Sequence, residues 1–125
     1  MKTNIYSQHE EHNTWTNKLF FYNDEIKLMQ EKLEEVNSKN SGIDVKKKVE
    51  HFQNQLIIQK TNSDKLHQHI KREEKEVQNS IKNNPVASDH RKTEDHSEER
   101  NMMEGFEKNF NALRKEFNAF LAERL

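Results

Sequence analysis

The sequence has no cysteine, one proline (Pro85) and two glycines (Gly42 and Gly105) in 125 residues. Without thiols it has no disulfide framework, no cysteine zinc site and no thiol nucleophile. With so few breakers the chain has two places to turn, at 37–42 and at 83–87. Apolar runs are short, so no segment is long enough to span a membrane. The first seven residues lack the apolar stretch of a secretory signal, which makes the cytoplasm the expected location. Neither charge sign dominates: 21 Lys and Arg face 22 Asp and Glu, a formal net charge of −1. That balance leaves no electrostatic footprint for nucleic acid and no basic face for a membrane surface. A glycine-rich phosphate cradle and a nucleophile elbow are also missing, so the expected role is non-enzymatic.

What is present is a sparse, regular apolar pattern. Leu, Ile, Val and Phe make up 27 residues, 34% of the chain is charged, and mean hydropathy is −1.27. So thin a core suits long helices, each burying only a stripe. Between the two breaks the apolar residues recur at steps of three and four, the helical period. Trp15, Leu19, Tyr22, Ile26, Met29, Leu33 and Val36 alternate steps of four and three, the period of a coiled-coil seam. Val45, Val49, Phe52 and Leu56 continue it, followed by polar Gln59 and Ser63 and then Leu66, Ile70, Val77 and Ile81. Met103, Phe106, Phe110, Leu113, Phe117, Phe120 and Leu121 form the third stripe. The sequence therefore predicts an all-α chain: three long antiparallel helices at about 7–37, 42–82 and 88–125, one coiled-coil-like bundle domain over 1–125. Ser7 with Glu10 suits a capping box for the first helix, and Ser41 with Asp44 caps the second. Gly105 inside the third stripe costs about 1 kcal/mol relative to Ala, which a close helix contact would justify.

The lengths differ. A turn near residue 40 pairs residues whose numbers add to about 80, so helices 2 and 3 overhang helix 1. Residues 71–100, with 15 charged side chains and only Val77, Ile81, Val86 and Ala87 as apolar ones, are expected to protrude as a polar hairpin. Some apolar residues fall off the stripes. Phe20, Phe21 and Leu28 lie on the flank of helix 1, and Ile57 and Ile58 on that of helix 2 at a similar height. Burying each is worth about 1.5–3 kcal/mol, so the expected assembly is a homodimer with these five at its interface. A dense patch of Glu50, His51, Gln53, Asn54 and Gln55, level with Glu25, is expected to fix register as a polar network.

Seven histidines in a polar chain raise metal binding. His9-x-x-His12, Asp64-x-x-His67 and His96-x-x-Glu99 place their members on one helix face, as metal-binding bundles require. Glu11, His67, Glu74, His96 and Glu99 all extend the core-facing stripes of their helices. His12, His67, His96 and Glu99 are thus the candidate ligands for zinc, manganese or iron. Against this, no Glu-x-x-His of a di-iron bundle occurs, and His9-Glu10-Glu11-His12 departs from the metalloprotease spacing. The leading expectation is an interaction or scaffold protein without cofactor, acting through self-association and the polar hairpin toward an unidentified protein partner. The alternative is a bundle that binds a metal or small ligand at its charged end.

Overall fold

The computed structural model describes the backbone of residues 5–83 and 85–124 and the side chains of residues 6–82 and 96–124. It is an all-α bundle of α1 (Ile5–Lys39), α2 (Ile43–Asn83) and α3 (Pro85–Arg124). At 1.5 Å per residue these run about 52, 61 and 60 Å. α1 and α3 are parallel, and α2 is antiparallel to both.

The three seams are buried almost as their periodicity requires. On α1, Gln8, His12, Trp15, Leu19, Ile26, Met29, Leu33 and Val36 are buried, with half-buried Tyr22 completing the alternation. On α2 the series is Val45, Val49, Phe52, Leu56, Gln59, Ser63, Leu66 and Ile70, with Val77 beyond it; on α3 it runs from His96 and Glu99 to Phe120 and Leu121. Phe52 packs between Phe117 and Phe120 at centroid distances of 5.3 and 5.1 Å. The Tyr22 ring meets Phe106 and Phe110, and its hydroxyl donates to Glu107 at 2.7 Å.

Several details differ from the sequence expectation. α1 begins at Ile5, so Ser7 lies inside the first turn and is not its cap. α2 begins one residue later than Ser41 requires. The Gly42 carbonyl accepts from the Lys46 amide at 3.1 Å, which makes Gly42 the N-cap. The Lys46 ammonium ties the turn to both oxygens of Asn37, at 2.6 and 2.7 Å. α3 begins at Pro85, ahead of the expected start near Ser88. Proline suits a first helical position because its missing N–H has no intrahelical partner there. The side chains of Val86, Ala87 and Ser88, and all of Asn84 in the second break, lie outside the described residues.

The first turns of α1 reach into the segment 71–100 expected to protrude. Phe20 meets His67 and Asn23 meets Ser63, so facing residues of α1 and α2 add to about 85, not 80. That slip, with the earlier start of α1, carries the first turns of α1 up to Glu74 and His96. Val77 is only 1% exposed as a result. The register network is also elsewhere. Glu50, His51, Gln53 and Asn54 are exposed, and Glu25 pairs with Arg114 of α3 through Arg114 Nη2 at 2.6 Å and Nε. The mid-bundle polar layer is instead Gln59, Ser63 and Asn23, with the Ser63 hydroxyl donating to Asn23 Oδ1 at 2.9 Å. A Cβ on Gly105 would meet nothing within 4 Å, so no close contact within the chain explains that glycine.

Candidate metal centre

The coiled-coil period does not stop where the apolar residues do. One step beyond Trp15 the seam position of α1 is His12, and one beyond that is Gln8. On α3 the positions preceding Met103 are Glu99 and His96. α2 approaches them past Ile70 with Glu74. The packing that buries leucines and phenylalanines lower down therefore buries imidazoles and carboxylates here: Gln8, His12, His96 and Glu99 are each 1% exposed.

His12 bridges two helices. Its Nδ1 faces Glu74 Oε1 at 2.8 Å and its Nε2 faces Glu99 Oε1 at 3.0 Å. With both carboxylates ionised, both ring nitrogens donate, which is the imidazolium form, and Nε2 must lose its proton before it can ligate a metal. Burial alone pulls the His12 pKa down, but the hydrogen bonds and charges of Glu99 and Glu74 outweigh it and hold it above the ordinary value. His96 differs. Its Nε2–H donates to Glu11 Oε1 at 2.9 Å, and burial, the largest effect, leaves its pKa below the ordinary value despite Glu11. Among the described residues its Nδ1 has no hydrogen-bond partner, and it lies 3.8 Å from Glu99 Oε1. Glu99 Oε2 and Gln8 Nε2 are likewise buried and unpartnered.

A second layer fixes these groups. Glu74 also accepts from His9 Nδ1 at 2.5 Å and from Gln78 Nε2 at 2.7 Å. Glu11 accepts from Arg100 Nη2 at 2.5 Å. Burial raises both carboxyl pKa values, but donors outweigh it: Arg100 and His96 for Glu11, Gln78, His12 and His9 for Glu74. Both stay below the usual carboxylate range. Trp15 stacks on the His96 ring at 4.9 Å with planes 21° apart, closing the apolar side.

One ligand atom from each of His12, His96 and Glu99 lies within 4.8 Å of the others. A tetrahedral site with bonds near 2.0–2.1 Å has ligands about 3.3 Å apart, so these side chains need to close by up to about 1.5 Å. His12 through Nε2 and His96 through Nδ1 are the suitable nitrogens, because Glu74 and Glu11 orient the opposite edges of the rings. Metal-bound histidines are typically backed by carboxylates in this way.

Three of the four candidate ligands thus converge, and His67 does not. It follows Leu66 on the flank of α2 that faces Phe20, and its ring sits against that phenyl edge at 5.2 Å. Glu11 and Glu74 are supports. His9, paired with His12 by its spacing, joins the group through Glu74, and the structure adds Arg100 and Trp15. The five proposed interface residues remain exposed on the chain: Phe20 51%, Phe21 74%, Leu28 56%, Ile57 57% and Ile58 47%. They do not form one patch. Ile58 lines the groove between α2 and α3, whereas Phe20 lies on the α1–α2 side. Among the described residues no helix is long and apolar enough to cross a membrane. The chain matches no protein-family model, no curated protein and no solved structure.

Proposed function

We propose that the protein is a non-enzymatic helical bundle that binds a divalent transition metal, zinc being the best fit, through His12, His96 and Glu99. The observation that supports this reading is the unpartnered His96 Nδ1, 1% exposed, beside an equally buried carboxylate with a free oxygen. Two unpartnered acceptors side by side are costly in a dry interior, and a cation satisfies both. The borderline nitrogen and oxygen donor set suits zinc, with iron and manganese as competitors. The non-enzymatic part rests on burial: ligands 1% exposed and capped by Trp15 leave a substrate no approach.

Metal that binds only the folded state stabilises by RT ln(1 + [L]/Kd), about 2.7 kcal/mol at a hundredfold excess over Kd. Untagged protein should therefore retain metal by elemental analysis, and zinc should raise the melting temperature of chelator-treated protein. His12→Ala and His96→Ala should each abolish that rise, and His67→Ala should not. A melting temperature indifferent to zinc, manganese and iron removes the reading.

The scaffold reading has its own support. Phe20, Phe21, Leu28 and Ile57 present large apolar side chains to solvent, and burying each against a second chain is worth about 1.5–3 kcal/mol. Self-association in a cytoplasmic setting is compatible with metal binding, and the two are tested separately.

A further inference from the structure

Opposite α1, a continuous trough runs between α2 and α3. It consists of three depressions in series, of about 630, 420 and 330 Å³, the middle one sharing walls with both others. Between Lys48 and Arg72 it extends about 36 Å. Its α3 wall is small at every seventh residue, with Gly105, Ala112 and Ala119, and nothing lies within 4 Å of a Cβ placed on Gly105. At its middle is Gln59, 6% exposed, whose Oε1 is buried without a partner. Met102 and Ile58 line it while 45% and 47% exposed. One end bears Lys65 and Arg72, the other Glu116 and Glu123 with Lys48 beside them. None of these five charges is in an ion pair among the described residues.

We infer that this trough is the face on which a second copy of the chain docks, antiparallel, about a two-fold axis at the level of Gln59. The charge spacing selects that axis. Phe52 contacts Phe117 and Phe120, so facing residues of α2 and α3 add to about 170. Glu116 and Glu123 are then level with about residues 54 and 47 of α2. A two-fold axis near level 59–60 carries the first to the level of Lys65 and the second to that of Arg72. Both pairs, each seven residues apart, select the same axis, and symmetry makes the contact twice. Under that operation α3 lies antiparallel on its copy. Glu116 of the second copy sits over the open space at Gly105, and Met102 sits over the depression lined by Phe52, Ala119 and Phe120. Small residues at heptad spacing allow the two α3 backbones the close approach this requires. A parallel dimer about an axis along the helices leaves Lys65 over Gly105 and none of the four charges matched. Among the five off-stripe residues, Ile58 alone belongs to this face.

The test is the mass of the full chain by light scattering and sedimentation between micromolar and high micromolar concentration, with helicity followed by circular dichroism. Wild type is expected to be a dimer. Lys65→Glu and Glu116→Lys should each raise the dimer dissociation constant at least tenfold, and the double exchange should restore it. Gly105→Leu, whose Cβ meets nothing within 4 Å inside one chain, should keep full helicity and yield a monomer. A wild-type monomer throughout, or a dimer that Phe21→Glu dissociates while Gly105→Leu leaves it intact, overturns the proposal. So does a double exchange no tighter than the single variants.

Discussion

The two ends of the bundle share one geometry and differ in chemistry. At the end near the first turn, seam positions hold Val36, Val45, Phe52, Phe117 and Phe120. At the other end the same alternation of three and four holds Gln8, His12, His96 and Glu99. Both are equally dry. The apolar end gains free energy from each buried side chain, whereas the polar end must satisfy every atom that it removes from water. It does not: His96 Nδ1, Glu99 Oε2 and Gln8 Nε2 lack partners. The two ends are equally buried and unequally satisfied: among the described residues three unpartnered atoms lie at the polar end, against Arg124 Nε near the apolar one.

The largest effect expected on this contrast is in the aromatic core. Phe110 is 0% exposed, and Phe110→Ala should cost about 3–5 kcal/mol. In so thin-cored a domain that is a large part of the total, visible as a fall in the denaturant midpoint. A midpoint that does not move would sink the register.

Next is the polar end. Glu99→Leu strips one carboxylate from the buried His12 imidazolium and should cost about 2–3 kcal/mol. Replacing His12, His96 and Glu99 together by Leu, Met and Leu removes the burden of desolvation along with the pairing. The metal-free triple variant should be as stable as wild type or more so, yet blind to zinc. A triple variant much less stable than Glu99→Leu would make the cluster a structural element and erase the contrast.

The acid response sharpens it further. Glu11 and Glu74 have pKa values below the usual carboxylate range in the folded chain. A depressed carboxyl contributes stability above its unfolded pKa of about 4.5 and loses it as pH falls through the folded value. Metal-free protein should therefore weaken below about pH 4.5, and Glu74→Gln should flatten that limb in pH-dependent melting.

The smallest effect is at Tyr22, midway along the bundle. Burial and the Glu107 carboxylate push its phenol up to about 12. A raised pKa contributes stability below the unfolded value near 10, lost as pH rises toward 12. Tyr22→Phe should cost about 1 kcal/mol at neutral pH and lose nothing further over that alkaline window.

The sequence by itself determined the helices and most of what they bury. A period of three and four over seven positions of α1 admits only one face, whatever packs against it. Even His96 and Glu99 were legible, because they extend the stripes, and His12 through its spacing from His9. Distances between helices were another matter. Facing residues of α1 and α2 add to about 85, not 80, because the turn is built around Gly42 and Lys46 with Asn37, not around a Ser41 cap. Five residues of slip, summed over two strands of helix, bring Glu74 to His12 and carry the first turns of α1 into the segment expected to protrude. His67 fails for a reason its own stripe contains: Leu66 and Ile70 occupy the seam, so residue 67 faces the flank and Phe20. Gly105 showed the opposite limit. Its cost was plain in the sequence, but only the packed helices revealed that the space beside it is open, on a face with unpaired charge at both ends. Local periodicity is fixed by backbone geometry within one helix. Which side chains meet is fixed by register between helices, and that depends on turns and contacts far apart along the chain.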